Sequence, residues 1–151
     1  MNTQQEQAKR IEILEKELQI KNREIDIEAA LEKVRAVAMG MRKQGDLSVI
    51  SETIFTALKA LDFKDLRNTE IIINNDEKET ITSYYYSDYG VTGIIELDYK
   101  ANAIVRGWAD DLKQADDAFA QITIPEHEMD AWRIYREEIG YIPDPKLNEA
   151  S

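Results

Sequence analysis

The fold of this 151-residue chain is decided by the stretch Glu70–Tyr99, which has the sequence EIIINNDEKETITSYYYSDYGVTGIIELDY. It contains three short runs rich in Ile, Thr and Tyr, residue types that favour β-strands. Asn, Asp and Gly residues between the runs are typical of tight turns. The stretch therefore predicts a three-stranded antiparallel meander. The predicted strands are residues 70–74, 80–87 and 92–99, and the turns are residues 74–78 and 87–90.

Two helices are predicted before the meander. Residues 1–39 contain neither Gly nor Pro, and apolar residues recur there every three or four positions, as on an α-helix. Gly45 is expected to end this helix as its C-cap, and Asp46 to begin the next helix as its N-cap. The second helix extends to about Leu61, because apolar residues keep the helical spacing up to that position.

Two further helices are predicted after the meander. Apolar residues at helical spacing mark one helix over residues 104–119, which tolerates Gly107. Another runs from Met129 and is ended by Gly140. The order of these elements predicts an α+β fold, with a domain of sheet and helices carried on a long N-terminal helix.

These elements divide the chain into a long helix over residues 1–46, an α+β domain over 47–140 and a loose tail over 141–151. The helix carries nine basic and nine acidic residues, so the whole net charge of −11 lies beyond it. An acidic domain repels phosphate backbones and anionic lipid surfaces. We therefore expect neither nucleic acid nor a membrane as a partner. The sequence contains no apolar run of 18 residues and no secretory signal region, so we expect a soluble, cytoplasmic protein.

The long helix carries two apolar series that face different ways. They do not share one seven-residue register, because positions 11, 18 and 25 would continue to Glu32. We predict that the first series faces a partner helix and the second faces the domain core. A lone polar helix is marginal in water, and a parallel homodimer is the simplest source of a partner. The first series is Ile11, Leu14, Leu18 and Ile25, and the second is Ile27, Leu31, Val34, Ala38 and Met41.

Few kinds of enzyme are compatible with this composition. The chain has no cysteine and a single histidine, His127, which excludes thiol chemistry and multi-histidine metal sites. The pairs Asp110-Asp111 and Asp116-Asp117 do not converge on one ion, because adjacent helical residues point about 100° apart. His127 is expected at a helix start on the surface. We therefore predict no catalytic residue and no metal site.

Aromatic and aliphatic residues are the better candidates for a functional site. Alternation along a strand places Tyr85 on one face of the sheet and its neighbours Tyr84 and Tyr86 on the other. Such residues suit the wall of a small-molecule pocket, and they equally suit a plain core. The sequence points to no particular ligand or cofactor. The candidate pocket residues are Tyr85, Leu97, Tyr99, Trp108 and Trp132.

The passage Ile27–Leu47, IEAALEKVRAVAMGMRKQGDL, resembles the entry helix of GAF-like sensory domains in bacterial sensor histidine kinases of the Bacteroidetes type. The resemblance extends over residues 27–62. It implies a GAF-like antiparallel sheet flanked by helices. A full GAF-like domain has further strands and a closing helix, and no strand is predicted after Ile124. The domain is therefore expected to be incomplete at its C-terminus, as a fragment of a longer kinase or as a shortened homologue.

The resemblance implies a function as well as a fold. It suggests a non-catalytic module of a two-component sensor histidine kinase, which relays a ligand or partner signal through a dimeric helical stalk. In such a module residues 1–46 are the signalling or dimerisation helix and residues 47–140 are the GAF-like sensor domain. His127-Glu128 resembles the phosphoacceptor box of such kinases over two residues only, since Met129 and Asp130 follow. The alternative is a dimerisation or adaptor module with a filled core and no ligand.

Overall fold

The computed structural model describes residues 3–117, 121–143 and 145. It is an α+β structure with a long N-terminal helix, as predicted. No helix of the described residues is long and apolar enough to cross a membrane. The elements are α1 (Thr3–Met39), α2 (Leu47–Ala60), β1 (Asn68–Asn75), β2 (Thr80–Ser87), β3 (Thr92–Asp98), α3 (Ala103–Gln114) and α4 (Met129–Glu138), with one-turn 3-10 helices at Gln44–Asp46 and Glu126–Glu128.

The three strands form an antiparallel sheet in the order β1-β2-β3, which confirms the predicted meander. Strand β2 has the predicted bounds, whereas β1 begins two residues before Glu70 and β3 ends one residue before Tyr99. Both connections use backbone with positive φ, at Glu79 (54°) and at Gly90 (75°). Such φ values are typical of tight hairpin turns between twisted strands.

Helices cover both faces of the sheet. Tyr86 faces α2, where its ring lies 5.2 Å from that of Phe55. Tyr85 faces the other way and is buried in a cluster that includes Val105 of α3 and Trp132 of α4. The predicted opposition of neighbouring tyrosines is therefore confirmed, because successive strand residues point to opposite faces. Helix α1 contacts α2.

A reciprocal pair of hydrogen bonds holds α2 against β1. The Ser51 hydroxyl donates to the Thr69 carbonyl at 2.7 Å, and the Thr69 hydroxyl donates to the Ser51 carbonyl at 2.6 Å. Ser51 is fully buried, so both of its polar groups need such partners. These bonds fix the position of α2 relative to the strand that borders the cleft described below.

The prediction for the junction between the first two helices is wrong for Gly45 and confirmed for the position of Asp46. Helix α1 ends at Met39, and the Gly40 amide donates to the carbonyls of Ala36 and Val37, so Gly45 is not its C-cap. Asp46 is the N-cap residue of α2, as predicted, but its carboxylate does not cap that helix and instead accepts hydrogen bonds from the backbone amides of Arg42 and Lys43 at 2.9 and 3.1 Å. A short acidic side chain competes in this way for nearby backbone donors. These bonds lower the pKa of Asp46.

Helix α3 is shorter than predicted. It contains Gly107 as expected, but it ends at Gln114, and Ala115 is already extended with ψ of 115°. Phe119, taken as its last apolar position, lies outside the described residues. Asn102 is the N-cap of the helix, and its side-chain oxygen accepts hydrogen bonds from the backbone amides of residues 104 and 105. This N-cap holds the start of α3 close to the end of β3.

The first residues of the predicted tail are bound to the domain. Tyr141 stacks on Tyr85 with ring centroids 4.8 Å apart, and the Tyr89 hydroxyl donates to the Ile142 carbonyl at 3.0 Å. The chain turns back because Gly140 adopts a φ of 84° after α4. The expectation of a loose segment is therefore wrong for Tyr141 and Ile142. Residues 144 and 146–151 lie outside the described part of the chain.

Candidate functional site

The five candidate pocket residues lie on one side of the sheet. Tyr85, Leu97, Tyr99 and Trp132 are buried in a single cluster, and Trp108 packs against that cluster. The strands contribute the first two, Tyr99 follows β3, and α3 and α4 contribute the two tryptophans. The sequence pattern thus identified residues that the fold brings together.

This cluster is open to one side, where it borders a cleft of about 210 Å³. Leu97, Trp108 and Trp132 line this cleft, whereas Tyr85 and Tyr99 do not line it and are packed in the core. The predicted set therefore contains both wall residues and core residues. Among the described residues, those that line the cleft are Asn68, Glu70, Ile95, Leu97, Trp108, Trp132, Arg136 and Tyr141.

Tyr85 packs beneath Tyr141, which lines the cleft. It is 1% exposed, and it lies over Gly93, its partner on β3. A Cβ atom at Gly93 would lie 2.5 Å from the Cζ and Oη atoms of Tyr85, which is far inside van der Waals contact. Glycine is therefore required at this position for the ring to lie flat under Tyr141. Burial raises the pKa of the Tyr85 hydroxyl.

Two tryptophans form the aromatic wall of the cleft. Their ring centroids are 4.8 Å apart at an angle of 66°, an edge-to-face arrangement that aromatic pairs prefer. Trp132 is buried at the base of this wall. The indole nitrogen of Trp108 is buried and has no hydrogen-bond partner in the described structure. An unpaired buried donor of this kind costs about 1–3 kcal/mol.

Arg136 brings a positive charge to the cleft. Its guanidinium carbon lies 3.6 Å from the centre of the Tyr141 ring, a stacked geometry that leaves the edge of the guanidinium free to donate hydrogen bonds. Burial raises the pKa of Tyr141 to about 12. Sequence reasoning missed Arg136. The available signal was its spacing of four residues from Trp132, which places both on one face of α4.

Glu70 brings a negative charge to the same cleft. Its two carboxylate oxygens accept one hydrogen bond each, from the side-chain amide of Asn68 at 2.6 Å and from the Ser83 hydroxyl at 2.9 Å. These bonds fix the carboxylate on the sheet surface. Sequence reasoning missed both Asn68 and Glu70 as site residues. The available signal was their alternation on β1, which places both on one face, where Glu70 pairs with Tyr85 and Asn68 with Ser87.

The first series on α1 is exposed along its length. Exposed fractions range from 48% for Leu14 to 65% for Ile25, with Ile11 and Leu18 between these values. No residue of α1 is buried. A row of exposed large apolar side chains on a helix marks a surface that packs against another molecule or element.

The second series packs against α2, in part as predicted. Ile27, Leu31 and Val34 line an apolar groove of about 450 Å³ together with Ile54 and Leu58 of α2. The α1 residues stay partly exposed, so this series does not enter the core.

Two isoleucines that sequence reasoning left out extend this face towards the N-terminus. Ile13 and Ile20 precede Ile27 and Val34 at intervals of seven residues. At about 100° per residue, positions 18 and 20 lie roughly 160° apart around the helix. Helix α1 is therefore apolar on two nearly opposite faces.

The remaining candidate residues lie on the surface, as predicted. The side chain of His127 is 80% exposed on a 3-10 turn, 3.7 Å from the Glu128 carboxylate. The two pairs of adjacent aspartates, at 110–111 and 116–117, are also exposed. Within the described ranges, no group of three or more His, Asp or Glu residues is arranged to hold a metal ion.

No protein-family model, no curated protein and no solved structure matches this chain.

Proposed function

We propose that the chain is a non-catalytic sensory and signal-transmission module that forms a parallel homodimer through the first series of α1. In this proposal residues 47–140 are a GAF-like sensor domain of a cytoplasmic two-component sensor histidine kinase. A small molecule held in the cleft supplies the signal. The observation that carries the proposal is the row of exposed apolar residues on α1, on the face opposite the one that packs against α2.

A continuous set of contacts joins the cleft to α1. Glu70, at the rim of the cleft, is followed back along β1 by Thr69, which is bound to Ser51 of α2. Ile54 and Leu58, further along α2, pack against residues 27–34 of α1. A ligand that prefers one position of β1 relative to α2 would therefore bias the packing of α1 on α2. It can do so only through its different affinity for the two packings.

The test of this proposal is the mass of the full chain in solution, measured by light scattering. Leu18 is 61% exposed. Burying this side chain on pairing would stabilise the dimer by about 1.2 kcal/mol for each chain, or about 2.5 kcal/mol in all. Replacing it by a charged residue in Leu18→Glu should weaken dimerisation at least about 60-fold. The unmodified chain is expected to be a dimer at micromolar concentration.

Ile20→Glu is the matched control, because Ile20 is an apolar residue of similar exposure on the opposite face of α1. We expect this variant to remain a dimer. A monomeric unmodified chain would overturn the proposal. Dissociation by Ile20→Glu without an effect of Leu18→Glu would place the interface on the other face and would overturn the assignment of the first series.

A dimerisation or adaptor module without a ligand is the second candidate. The burial of Tyr85 and Tyr99 in the core favours it, because these residues fill space that a larger pocket would need. The two proposed functions differ in whether a small molecule binds in the cleft. The adaptor predicts that no small molecule changes the surroundings of Trp108 or Trp132, whereas the sensory module predicts such a ligand.

A further inference from the structure

The cleft holds two opposite charges that are not paired with each other. Arg136 comes from α4 and Glu70 from β1, and both line the cleft. In the part of the chain that the structure describes, neither side chain has an ion-pair partner within 4.0 Å. Both act on the Tyr141 hydroxyl, where Arg136 lowers the pKa and Glu70 raises it, although burial dominates. A positive and a negative group thus face one small space.

Each charge has bonding capacity left for a ligand. The Arg136 guanidinium is stacked on Tyr141 through its face, so its N–H groups remain available at its edge. Each oxygen of Glu70 accepts one hydrogen bond from the protein, although a carboxylate oxygen accepts about two. A carboxylate would therefore bind Arg136, and an ammonium group would bind Glu70.

The surrounding charge selects between classes of ligand. A simple anion would meet the net charge of −11 and the Glu70 carboxylate, and both repel it. A simple cation would be attracted by the protein as a whole but would meet Arg136 in the cleft. A zwitterion carries no net charge and satisfies both groups at once.

The size and floor of the cleft restrict the rest of the ligand. A volume of about 210 Å³ equals that of about seven water molecules at roughly 30 Å³ each, which suits a compact molecule of on the order of ten non-hydrogen atoms. Ile95, Leu97 and Trp132 contribute apolar side chains to the lining of the cleft. The ligand should therefore present a short apolar group to these side chains.

We propose that the cleft between α4 and β1 binds a small zwitterionic amino acid with an apolar side chain. Its carboxylate is held by Arg136 and its ammonium group by Glu70, while its side chain packs against Trp108 and Trp132. The inference deepens the sensory function proposed above, and it rests on that function for its role as a signal.

Intrinsic tryptophan fluorescence of the full chain tests this proposal. The chain contains two tryptophans, and both line the cleft, so a change in emission on titration reports this site directly. The probes are L-leucine, 4-methylpentanoate, which lacks the ammonium group, and 3-methylbutylamine, which lacks the carboxylate. We expect saturable binding of L-leucine below about 10 mM, and at least tenfold weaker binding of each analogue, since one charge-assisted contact is lost in each.

Charge-neutralising variants provide the second arm. Arg136→Gln and Glu70→Gln should each weaken binding of L-leucine at least tenfold. Arg133→Gln and Glu96→Gln are matched controls. Arg133 lies three residues before Arg136 on α4 and is ion-paired to Asp130, and Glu96 is an exposed residue of β3 on the other face of the sheet. Both controls should bind L-leucine as the unmodified chain does. Far-UV circular dichroism verifies that each variant is folded.

Three results would overturn the assignment. They are no saturable change with L-leucine up to 10 mM, binding of either analogue as tight as that of L-leucine, and equal losses in the control variants. The dimerisation proposal is tested separately, by the mass of the chain in solution. A dimeric chain that binds no L-leucine retains the proposed module but loses this ligand class, whereas a monomeric chain that binds it retains the cleft assignment and loses the dimeric stalk.

Discussion

Replacing Gly93 by Ala probes the layer of stacked side chains beneath the cleft. The new methyl group would lie 2.5 Å from the Cζ and Oη atoms of Tyr85, about 1 Å closer than van der Waals contact allows. Tyr85 is 1% exposed and is held under Tyr141, so the ring has no free space into which it can move. Overpacking of this kind costs about 1–3 kcal/mol, and a weakened aromatic pair costs roughly 1 kcal/mol more.

Gly→Ala also restricts the unfolded chain, which offsets roughly 0.5–1 kcal/mol of this cost. The net destabilisation is therefore about 2 kcal/mol, or a fall in Tm of about 4–8 °C for a chain of this size. Urea and thermal unfolding followed by circular dichroism measure both quantities. Gly107→Ala is the control, because the position is helical and no neighbouring atom of the described residues lies within 4 Å of a Cβ atom there. It should stabilise the chain by roughly 0.5–1 kcal/mol.

A double-mutant cycle identifies the cause. Tyr85→Leu removes the ring atoms that the new methyl group would meet, so Gly93→Ala should cost much less in that background than in the unmodified chain. The reasoning is refuted if Gly93→Ala leaves the unfolding free energy unchanged. It is also refuted if the substitution costs the same with and without the Tyr85 ring.

Two further predictions concern Tyr141. Tyr141→Ala removes the stack on Tyr85 and the contact with Arg136, and we expect a loss of about 2 kcal/mol because the side chain is half-buried. Ile142→Ala is the control in urea unfolding and should cost less than about 0.5 kcal/mol, since it keeps the carbonyl that accepts from the Tyr89 hydroxyl. Equal losses of unfolding free energy in the two variants would show that Tyr141 is not bound to the domain. The pKa of Tyr141 is raised from 10.0 to about 12, so the unfolded chain loses this proton at lower pH than the folded chain does. The stability that this provides is complete below about pH 10 and is lost as the pH rises towards 12. Unfolding measured from pH 9 to 12 should therefore show a smaller alkaline loss in Tyr141→Phe, and an unchanged loss would contradict the raised pKa.

The sheet was predictable because its signal is local. β-Branched and aromatic residues alternate between turn residues, and the predicted bounds of β2, Thr80–Ser87, are those observed. The end of α1 was less predictable. Two glycines, Gly40 and Gly45, offered a stop, and the choice depends on the Asp46 carboxylate binding backbone amides upstream of it. That competition between side chain and helix is not visible in apolar spacing.

The candidate site was predictable in its apolar half only. Strand alternation and helical spacing placed Tyr85, Leu97 and Trp132 on surfaces that meet in the core. They did not select Arg136 and Glu70 among the charged residues of the chain, because this selection depends on how α4 docks on the sheet. The return of Tyr141 over Tyr85 depends likewise on the positive φ of Gly140.

The central claim is a parallel dimer formed by the first series of α1, and disulfide cross-linking tests it most directly. The chain has no cysteine, so a single introduced cysteine in each chain is the only thiol. Leu18→Cys and Ile25→Cys should form covalent dimers under mild oxidation, since positions on a parallel helix seam bring equivalent Cβ atoms within disulfide range. Ile20→Cys, on the opposite face, should remain largely monomeric on a non-reducing gel. Failure of both seam variants to cross-link while the chain is folded, or faster cross-linking of Ile20→Cys, would contradict the account.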